Sequence, residues 1–189
     1  MKKVILYIFG ITILFGSCGT HKRLMRLEPV SVVQFCPETL NGSYHNEVVI
    51  RYDGYNWHPF GRTLWRTLGN SYSLWDRKVV NASDSAIVNL RFADNRLYAQ
   101  LVEEGEIIQE IVLRAEVRGN YLSVRRKLLV VPAFPIVFGY FYNKIILTNA
   151  ESGNLLLKGH HSDFGMMLIM AGGTTNTVSV EFAREKTDE

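Results

Sequence analysis

The stretch IVNLRFADNRLYAQLVEEGEIIQEIVLRAEVRGNYLSVRR, residues 87–126, decides the fold of this chain. Apolar and polar residues alternate along it, so that Val88 and Leu90 share one face of a strand while Asn89 and Arg91 share the other. Three short polar segments, ADNR, EEGE and RGN, interrupt the alternation. This pattern predicts half-buried antiparallel strands that are joined by tight turns.

The following segment, LLVVPAFPIVFGYFY, breaks the alternation. Pro132 and Pro135 have no N–H to donate in the middle of a sheet. We therefore predict that one strand ends near Val131, that an apolar loop follows, and that a new strand runs through residues 141–148.

The C-terminal part predicts further strands. Residues 155–161 and 164–170 are interpreted as two separate strands, and the glycine-containing segment 171–176 as a loop. A final strand carries alternating apolar residues over 178–182. The charged segment 185–189 is predicted to be a frayed tail.

The first half of the chain is less regular. The segment LNGSYHN predicts an early strand with Leu40 and Tyr44 facing inward. Residues 62–68 have apolar side chains at helical spacing and are followed by Gly69, a common helix stop, so we predict one short helix there. Trp75 is placed in a further short strand.

Together these segments predict an all-β chain of about eight to ten mostly sequential strands. A meander of this length must fold over itself, and closure removes its exposed edges. The predicted fold is therefore an antiparallel up-and-down barrel with one short helix near residues 62–68. A two-sheet β-sandwich is the alternative.

The N-terminus has the pattern of a secretory leader. Lys2 and Lys3 precede an apolar run over residues 4–15, and small residues follow it. The run is shorter than the roughly 20 apolar residues that span a bilayer comfortably. We predict that residues 1–17 are a signal peptide.

The end of this leader, Leu14-Phe15-Gly16-Ser17-Cys18, resembles the lipobox of bacterial lipoproteins. The resemblance implies that the leader is removed before Cys18 and that its thiol is acylated. Several acyl chains attach a protein permanently to a membrane. Residues 18–34 would then be a tether, and 35–184 the barrel domain. An ordinary secreted protein or an uncleaved anchor helix are the alternatives.

Removal of the leader also changes the charge. The whole chain has a formal charge of +3, and residues 1–17 contain Lys2, Lys3 and no acidic residue, which leaves +1. Nucleic-acid binding is not expected, because it needs a clustered basic surface. With Cys18 acylated, Cys36 has no intramolecular partner, and we expect it to be a small buried apolar residue.

A second resemblance rests on Leu40, Gly42, Tyr44 and Asn46, which form an L-x-G-x-Y-x-N pattern, and on the TLW segment of the predicted helix. These features resemble small barrel lipoproteins of the Bacteroidetes, which are lipocalin-like in architecture. The resemblance covers about residues 35–184. It implies a protein of the cell envelope, anchored to the outer or alternatively the inner membrane.

Two shorter motifs refine this expectation. Surface-displayed lipoproteins of that phylum often carry acidic residues after the cysteine, and residues 19–23 carry none, which favours the periplasmic side. Asp84, Ser85 and Ala86 match the short O-glycosylation motif of the phylum. Ser85 is therefore a candidate glycosylation site.

The segment GHHSDFG is the strongest candidate for chemistry. His160 and His161 are adjacent in a predicted strand and cannot bind one metal together, whereas His161 and Asp163 share a face. A carboxylate beside an imidazole could serve a hydrolase-type or metal site. The spacing shows no third ligand, so we favour a hydrogen-bonded histidine at the end of a strand. We expect no enzyme activity, no metal and no cofactor.

Aromatic residues are the better indication of binding. The candidate ligand-binding residues are Trp57, Trp65, Trp75, Phe134, Phe138, Tyr140, Tyr142 and His161. The leading hypothesis is a lipid-anchored periplasmic barrel whose aromatic mouth binds a small apolar or lipid-like molecule. The alternative is a structural or interaction lipoprotein with a filled barrel and no ligand.

Overall fold

The structure, a computed structural model, describes residues 35–52, 62–72, 79–133, 137–167 and 170–185. Eight antiparallel strands form one closed barrel in sequential order, with β1 pairing β8 to complete it. The strands are β1 Gly42–Arg51, β2 Ile87–Ala93, β3 Arg96–Glu103, β4 Glu106–Val117, β5 Leu122–Ala133, β6 Val137–Asn149, β7 Leu155–Met167 and β8 Met170–Arg184. A 3₁₀ helix, Pro37–Leu40, precedes β1, and helix α1, Leu64–Tyr72, follows it. The predicted all-β barrel is confirmed.

The quoted stretch folds as its alternation predicts. Leu97, Ala99 and Leu101 on β3 are buried, and the residues between them are half-buried. Asp94 and Asn95 both have positive φ angles, 52° and 56°, which the two-residue turn between β2 and β3 requires. The polar turns therefore set the register of the hairpins. The alternating apolar residues then all lie on the face of the sheet that is buried.

Both ends of the barrel interior are filled by the chain itself. Leu40, in the 3₁₀ helix, is fully buried at the end where β1 begins. Leu64, Trp65 and Leu68 of α1 are fully buried against the same core from the opposite end. The predicted helix near 62–68 is confirmed, although it runs past Gly69 to Tyr72.

None of the helices in the described ranges is long and apolar enough to cross a membrane.

Two members of the L-x-G-x-Y-x-N pattern close the seam between β1 and β8. Arg184 donates hydrogen bonds to the carbonyls of Thr39 (3.2 Å) and Asn41 (2.7 Å), and its guanidinium lies 5.9 Å from the ring centroid of Tyr44. A Cβ on Gly42 would lie 2.8 Å from an Arg184 nitrogen, so glycine makes room for this clamp. Burial raises the pKa of Tyr44, although the nearby Arg184 charge lowers it in part.

Asn46 positions helix α1. Its side-chain oxygen accepts the Trp65 N–H at 2.9 Å, and its amide nitrogen donates to the Ser83 carbonyl at 2.8 Å. Thr63 adds a second cap by accepting the Arg66 N–H at 3.3 Å. Because the first N–H groups of a helix have no partner within the helix, these bonds fix where α1 starts.

Several boundaries differ from the prediction. Leu40 belongs to the 3₁₀ helix and not to the first strand. Residues 155–161 and most of 164–170 are joined in one long strand, β7, and the predicted loop 171–176 lies inside β8. Gly173 pairs with Phe164, and a Cβ there would lie 2.5 Å from the Asp163 carbonyl oxygen. The glycine therefore serves close approach of two strands and not a turn.

Two further predictions are wrong. The strand predicted to end near Val131 continues to Ala133, and Pro132 is tolerated because the described part of β4 does not pair with β5 beyond Val124. Cys36 is exposed, because it precedes the 3₁₀ helix outside the barrel. It is bonded to the carboxylate of Glu38, and this hydrogen bond lowers the pKa of Glu38.

Strands β5 to β8 continue beyond the closed barrel. Among the described residues, β5 pairs only with β6 from Lys127 onward, and β8 pairs only with β7 before Val178. We call this four-stranded sheet the extension, formed by residues 127–133, 137–143, 161–167 and 170–176. It leaves the barrel at the end opposite the 3₁₀ helix.

Candidate functional site

Four polar side chains meet on the inner face of the sheet where the extension begins. His161 and Asp163 are in phase with the core residue Leu157, as the sequence predicted. Register places Asn143 of β6 opposite His161, and Thr174 of β8 opposite Asp163. The polar cluster thus lies directly beside the aliphatic core, which β7 carries in its first half and β6 and β8 carry in their second half.

The cluster holds its imidazole between two acceptors. Nδ1 of His161 lies 2.5 Å from Oδ1 of Asn143, and Nε2 lies 3.5 Å from Oδ1 of Asp163. The hydroxyl of Thr174 donates to the same Asp163 oxygen. The His161 side chain is 14% exposed and that of Asp163 is 33% exposed, so the cluster is accessible to solvent from one side.

This arrangement orients the ring but supplies no activated nucleophile. In a nucleophile relay the hydroxyl is bonded to the imidazole, and the carboxylate holds the other ring nitrogen. Here the Thr174 hydroxyl is bonded to the carboxylate of Asp163 instead. Among the described residues, no three His, Cys, Asp or Glu side chains are placed to hold a metal ion. The geometry is that of a polar hydrogen-bonding network.

The structure does not bring the described aromatic candidates together. Trp65 is fully buried within the core, and its Nε1 has no hydrogen-bond partner in the described part of the chain. Tyr140 and Tyr142 are half-buried on the face of β6 opposite to the core. Tyr140 stacks on Phe164 with ring centroids 5.9 Å apart. Tyr142 makes an edge contact with His160.

The remaining candidates are described partly or not at all. Trp57, Trp75 and Phe134, like the lipidation candidate Cys18, lie outside the described residues. Phe138 is described through its backbone, which pairs with Met166 of β7. Ser85, the glycosylation candidate, is exposed in the turn before β2, and its hydroxyl lies 3.1 Å from that of Ser83.

Two members of the polar cluster escaped the sequence interpretation. Asn143 and Thr174 come from strands on either side of β7, and only the register places them beside His161 and Asp163. Periodicity identifies the face of a strand but not the partner across it.

No family model, curated protein or solved structure was found to match this chain.

A second polar surface lies on the opposite side of the barrel. A shallow groove of about 250 Å³ crosses the outer face of β2, β3 and β4. Arg91 lies over the ring of Tyr98 at 4.6 Å, and Gln100 donates to Glu110 at 2.8 Å. The side chains in this groove are bonded to each other across the strands, which stabilises the sheet.

Proposed function

We propose that this chain is a lipid-anchored lipoprotein of the cell envelope whose filled barrel is a non-enzymatic structural or interaction module. The observation that carries the proposal is the closure of the barrel interior by the chain itself. Leu40 fills one end and Trp65 the other, and both are fully buried. The leader and the lipobox-like segment ending at Cys18 support the anchor.

A filled interior favours an interaction role over a ligand-carrying role. An eight-stranded barrel is just wide enough either to be filled by side chains or to hold one small ligand. Here Tyr44, Trp65 and Phe182, three of the largest side chains in the chain, are fully buried in the described core. The candidate aromatics Tyr140 and Tyr142 lie on the outer face, where they cannot line that interior.

The proposed location is the periplasmic face of the outer membrane, with the inner membrane as the alternative. Residues 19–23 contain no acidic residue, unlike the segment after the cysteine in many surface-displayed lipoproteins of the Bacteroidetes, and this difference supports the orientation. Protein partners are expected, because a filled barrel without an active site acts through its surface.

The anchor is tested by metabolic labelling with a palmitate analogue in a bacterial host. The wild-type chain should incorporate the label, and its intact mass should equal residues 18–189 plus acyl chains. Cys18→Ala should lose the label and retain the leader, whereas the control Cys36→Ser should behave like the wild type. Labelling of Cys18→Ala, or an unmodified mass for the wild type, would contradict the proposal.

The filled interior is tested by native mass spectrometry of the protein extracted from its membranes. We expect the acylated chain alone, and we expect that an apolar fluorescent probe gains no saturable signal from it. A stoichiometric apolar molecule that co-purifies and is displaced by the probe would overturn the filled-barrel proposal. Such a result would restore the hypothesis of a ligand-binding barrel.

A further inference from the structure

Most of the extension is free of charged residues, and the charged residues in its four ranges, Lys127 and Asp163, lie near its base. Residues 128–143 and 164–180, 16 and 17 residues long, contain no Asp, Glu, Lys or Arg. At the chain's average of 21% charged residues, two such segments together would carry about seven. Apart from residues 178–180, which are buried in the barrel, segments of this length without charge are unusual on a soluble surface.

The register places these two uncharged segments side by side. Pro132 pairs with Phe138 at the end of the β5–β6 hairpin, and Met167 pairs with Met170 at the end of the β7–β8 hairpin. Phe138 in turn pairs with Met166, so β6 and β7 join the two hairpins into one sheet. The backbone pairing therefore brings the described parts of the two uncharged segments together at one end of the molecule.

Two described apolar side chains of the extension are at least partly accessible. Val130 is 45% exposed, and Met166 is half-buried. Residues 171–175 are exposed along the outer strand β8. Accessible aliphatic and sulfur-containing side chains in segments that carry no charge are typical of a surface that leaves water for an apolar phase.

We propose that the extension is a second membrane contact, which enters the boundary between headgroups and acyl chains of an anionic bilayer. The inference rests on the proposed lipoprotein function, because the anchor keeps the barrel beside a membrane. Cationic residues lie at the base of the extension and not within its uncharged segments. These are Arg125, Arg126, Lys127 and Lys144.

The position of these cations favours lipid over a second copy of the chain. Basic side chains that follow an apolar surface lie at the level of lipid phosphates when that surface enters a bilayer. The uncharged segments of a second copy would offer these cations no anionic partner, whereas lipid phosphates do. Within the uncharged segment of β6, Tyr142 pairs with Leu128 beside these cations, and Tyr140 pairs with Val130 two residues further along the extension. Tyrosine is enriched at this interfacial depth.

The backbone sets the depth of entry. Among the described residues, the outer edges of β5 and β8 in the extension have no strand partner. Unpaired backbone groups are not tolerated in the hydrocarbon core of a bilayer. The extension therefore enters the interface, to a depth of about 5–10 Å, and does not span the membrane.

The tether is long enough to allow this orientation. Residue 35 lies near the 3₁₀ helix, at the end of the barrel opposite to the extension. Residues 18–34 can extend over about 55–60 Å. The longest strand, β8, has 15 residues and spans about 50 Å. The anchored barrel can therefore turn its extension toward the membrane that holds Cys18.

The test uses the acylated full-length chain with Cys36→Ser, so that one introduced cysteine is the only reactive thiol. An environment-sensitive dye is attached at Val130→Cys or Met166→Cys in the extension. The matched control is Val117→Cys, at the opposite end of the barrel, because Val117 is 42% exposed and Val130 is 45% exposed. The proteins are reconstituted into vesicles of phosphatidylethanolamine and phosphatidylglycerol that contain spin-labelled lipid.

We expect the dye at positions 130 and 166 to shift its emission to shorter wavelength and to be quenched by the spin-labelled lipid. The dye at position 117 should remain in water. Phosphatidylcholine in place of phosphatidylglycerol should reduce the quenching at 130, because the cations lose their anionic partners. Unchanged quenching in that lipid would overturn the assignment of anionic headgroups.

The opposing outcomes are distinct. If the protein floats with the vesicles but the dye at 130 and 166 stays in water, the second contact is refuted and the anchor stands. If the dye shifts equally without vesicles, the surface binds a second copy of the chain, and the inference is overturned. If the acylated chain does not float at all, both this inference and the proposed function fail.

Discussion

The extension continues four of the eight strands of the closed barrel, but the two regions are held together differently. In the barrel, Leu147, Leu157 and Val180 fill an interior that Trp65 closes. In the extension, the same three strands, β6, β7 and β8, continue with a polar cluster and then uncharged residues. The barrel is stabilised by burial of side chains, whereas no described side chain of the extension belongs to the hydrophobic core. A region that contributes little core is free to serve a surface function.

The first prediction tests the closed barrel with Trp65→Ala, which should have the largest effect. Removal of a fully buried tryptophan costs about 3–5 kcal/mol in the free energy of unfolding, measured by denaturant titration. In the extension, Tyr140→Ala should cost about 1 kcal/mol, because the ring is half-buried and loses mainly its stacking with Phe164. Equal losses in the free energy of unfolding would contradict the difference between the barrel and the extension.

A milder variant keeps this prediction useful if Trp65→Ala does not fold. Trp65→Phe leaves most of the ring volume in place and removes Nε1, which has no hydrogen-bond partner in the described part of the chain. Removal of an unsatisfied buried donor offsets part of the lost packing. We therefore expect Trp65→Phe to cost less than half as much as Trp65→Ala. An equal or larger cost would mean that the indole nitrogen has a role that the packing does not explain.

The second prediction concerns the cap that joins β1 to α1. Asn46→Ala removes the acceptor of the Trp65 N–H and the donor to the Ser83 carbonyl, both at a fully buried side chain. The expected loss is about 2 kcal/mol in the free energy of unfolding. The control is Asn89→Ala on the half-buried outer face of β2, where a single bond to Ser43 is lost and about 0.5 kcal/mol is expected.

The third prediction concerns pH and the strand pair that closes the barrel. The Tyr52 hydroxyl donates to Glu181 at 2.6 Å, and this bond, with burial and the carboxylate charge, raises the pKa of Tyr52 from 10.0 to about 12. The neutral hydroxyl is thus favoured in the folded state, so its stabilisation is complete below pH 10 and is lost between pH 10 and about 12.

The variant Tyr52→Phe isolates this effect. Other groups also titrate at alkaline pH, so the measured quantity is the difference in urea midpoint between wild type and Tyr52→Phe. We expect that difference to be constant up to pH 10 and to shrink above it. A difference that does not change with pH would show that the bond to Glu181 contributes nothing to stability.

Strands β2 to β4 are more predictable from the sequence than β7 and β8 for a physical reason. On β3, one face is buried and the other reaches solvent, so Leu97, Ala99 and Leu101 alternate with more polar residues. On β7, both Leu156 and Leu157 are fully buried, and the alternation disappears. From the sequence alone, Gly173 indicates a turn, because the close approach of two neighbouring backbones is visible only in the structure.

The candidate site shows the same limit. His161 and Asp163 were predicted to share a face, since they are two residues apart on one strand, and the structure places their side chains within 3.5 Å. Asn143 and Thr174 belong to neighbouring strands, and the sequence contains no signal for the register that aligns them with β7. Features within one strand are predictable from periodicity, and features between strands require the fold.

The variant with the smallest expected effect on stability gives the sharpest test of the difference between the barrel and the extension. Val130→Glu, in the extension, should change the free energy of unfolding by no more than about 0.5 kcal/mol, because the residue is 45% exposed and lies outside the core. The control Val117→Glu, 42% exposed at the other end of the barrel, should be equally neutral in solution.

On vesicles the two variants should differ, because only position 130 would carry a charge into the lipid interface. In acylated protein with Cys36→Ser, a dye at Met166→Cys should lose its quenching by spin-labelled lipid with Val130→Glu and keep it with Val117→Glu. Loss of quenching in both variants would mean that the effect of the charge is not specific to the extension, which would contradict the proposed membrane contact there.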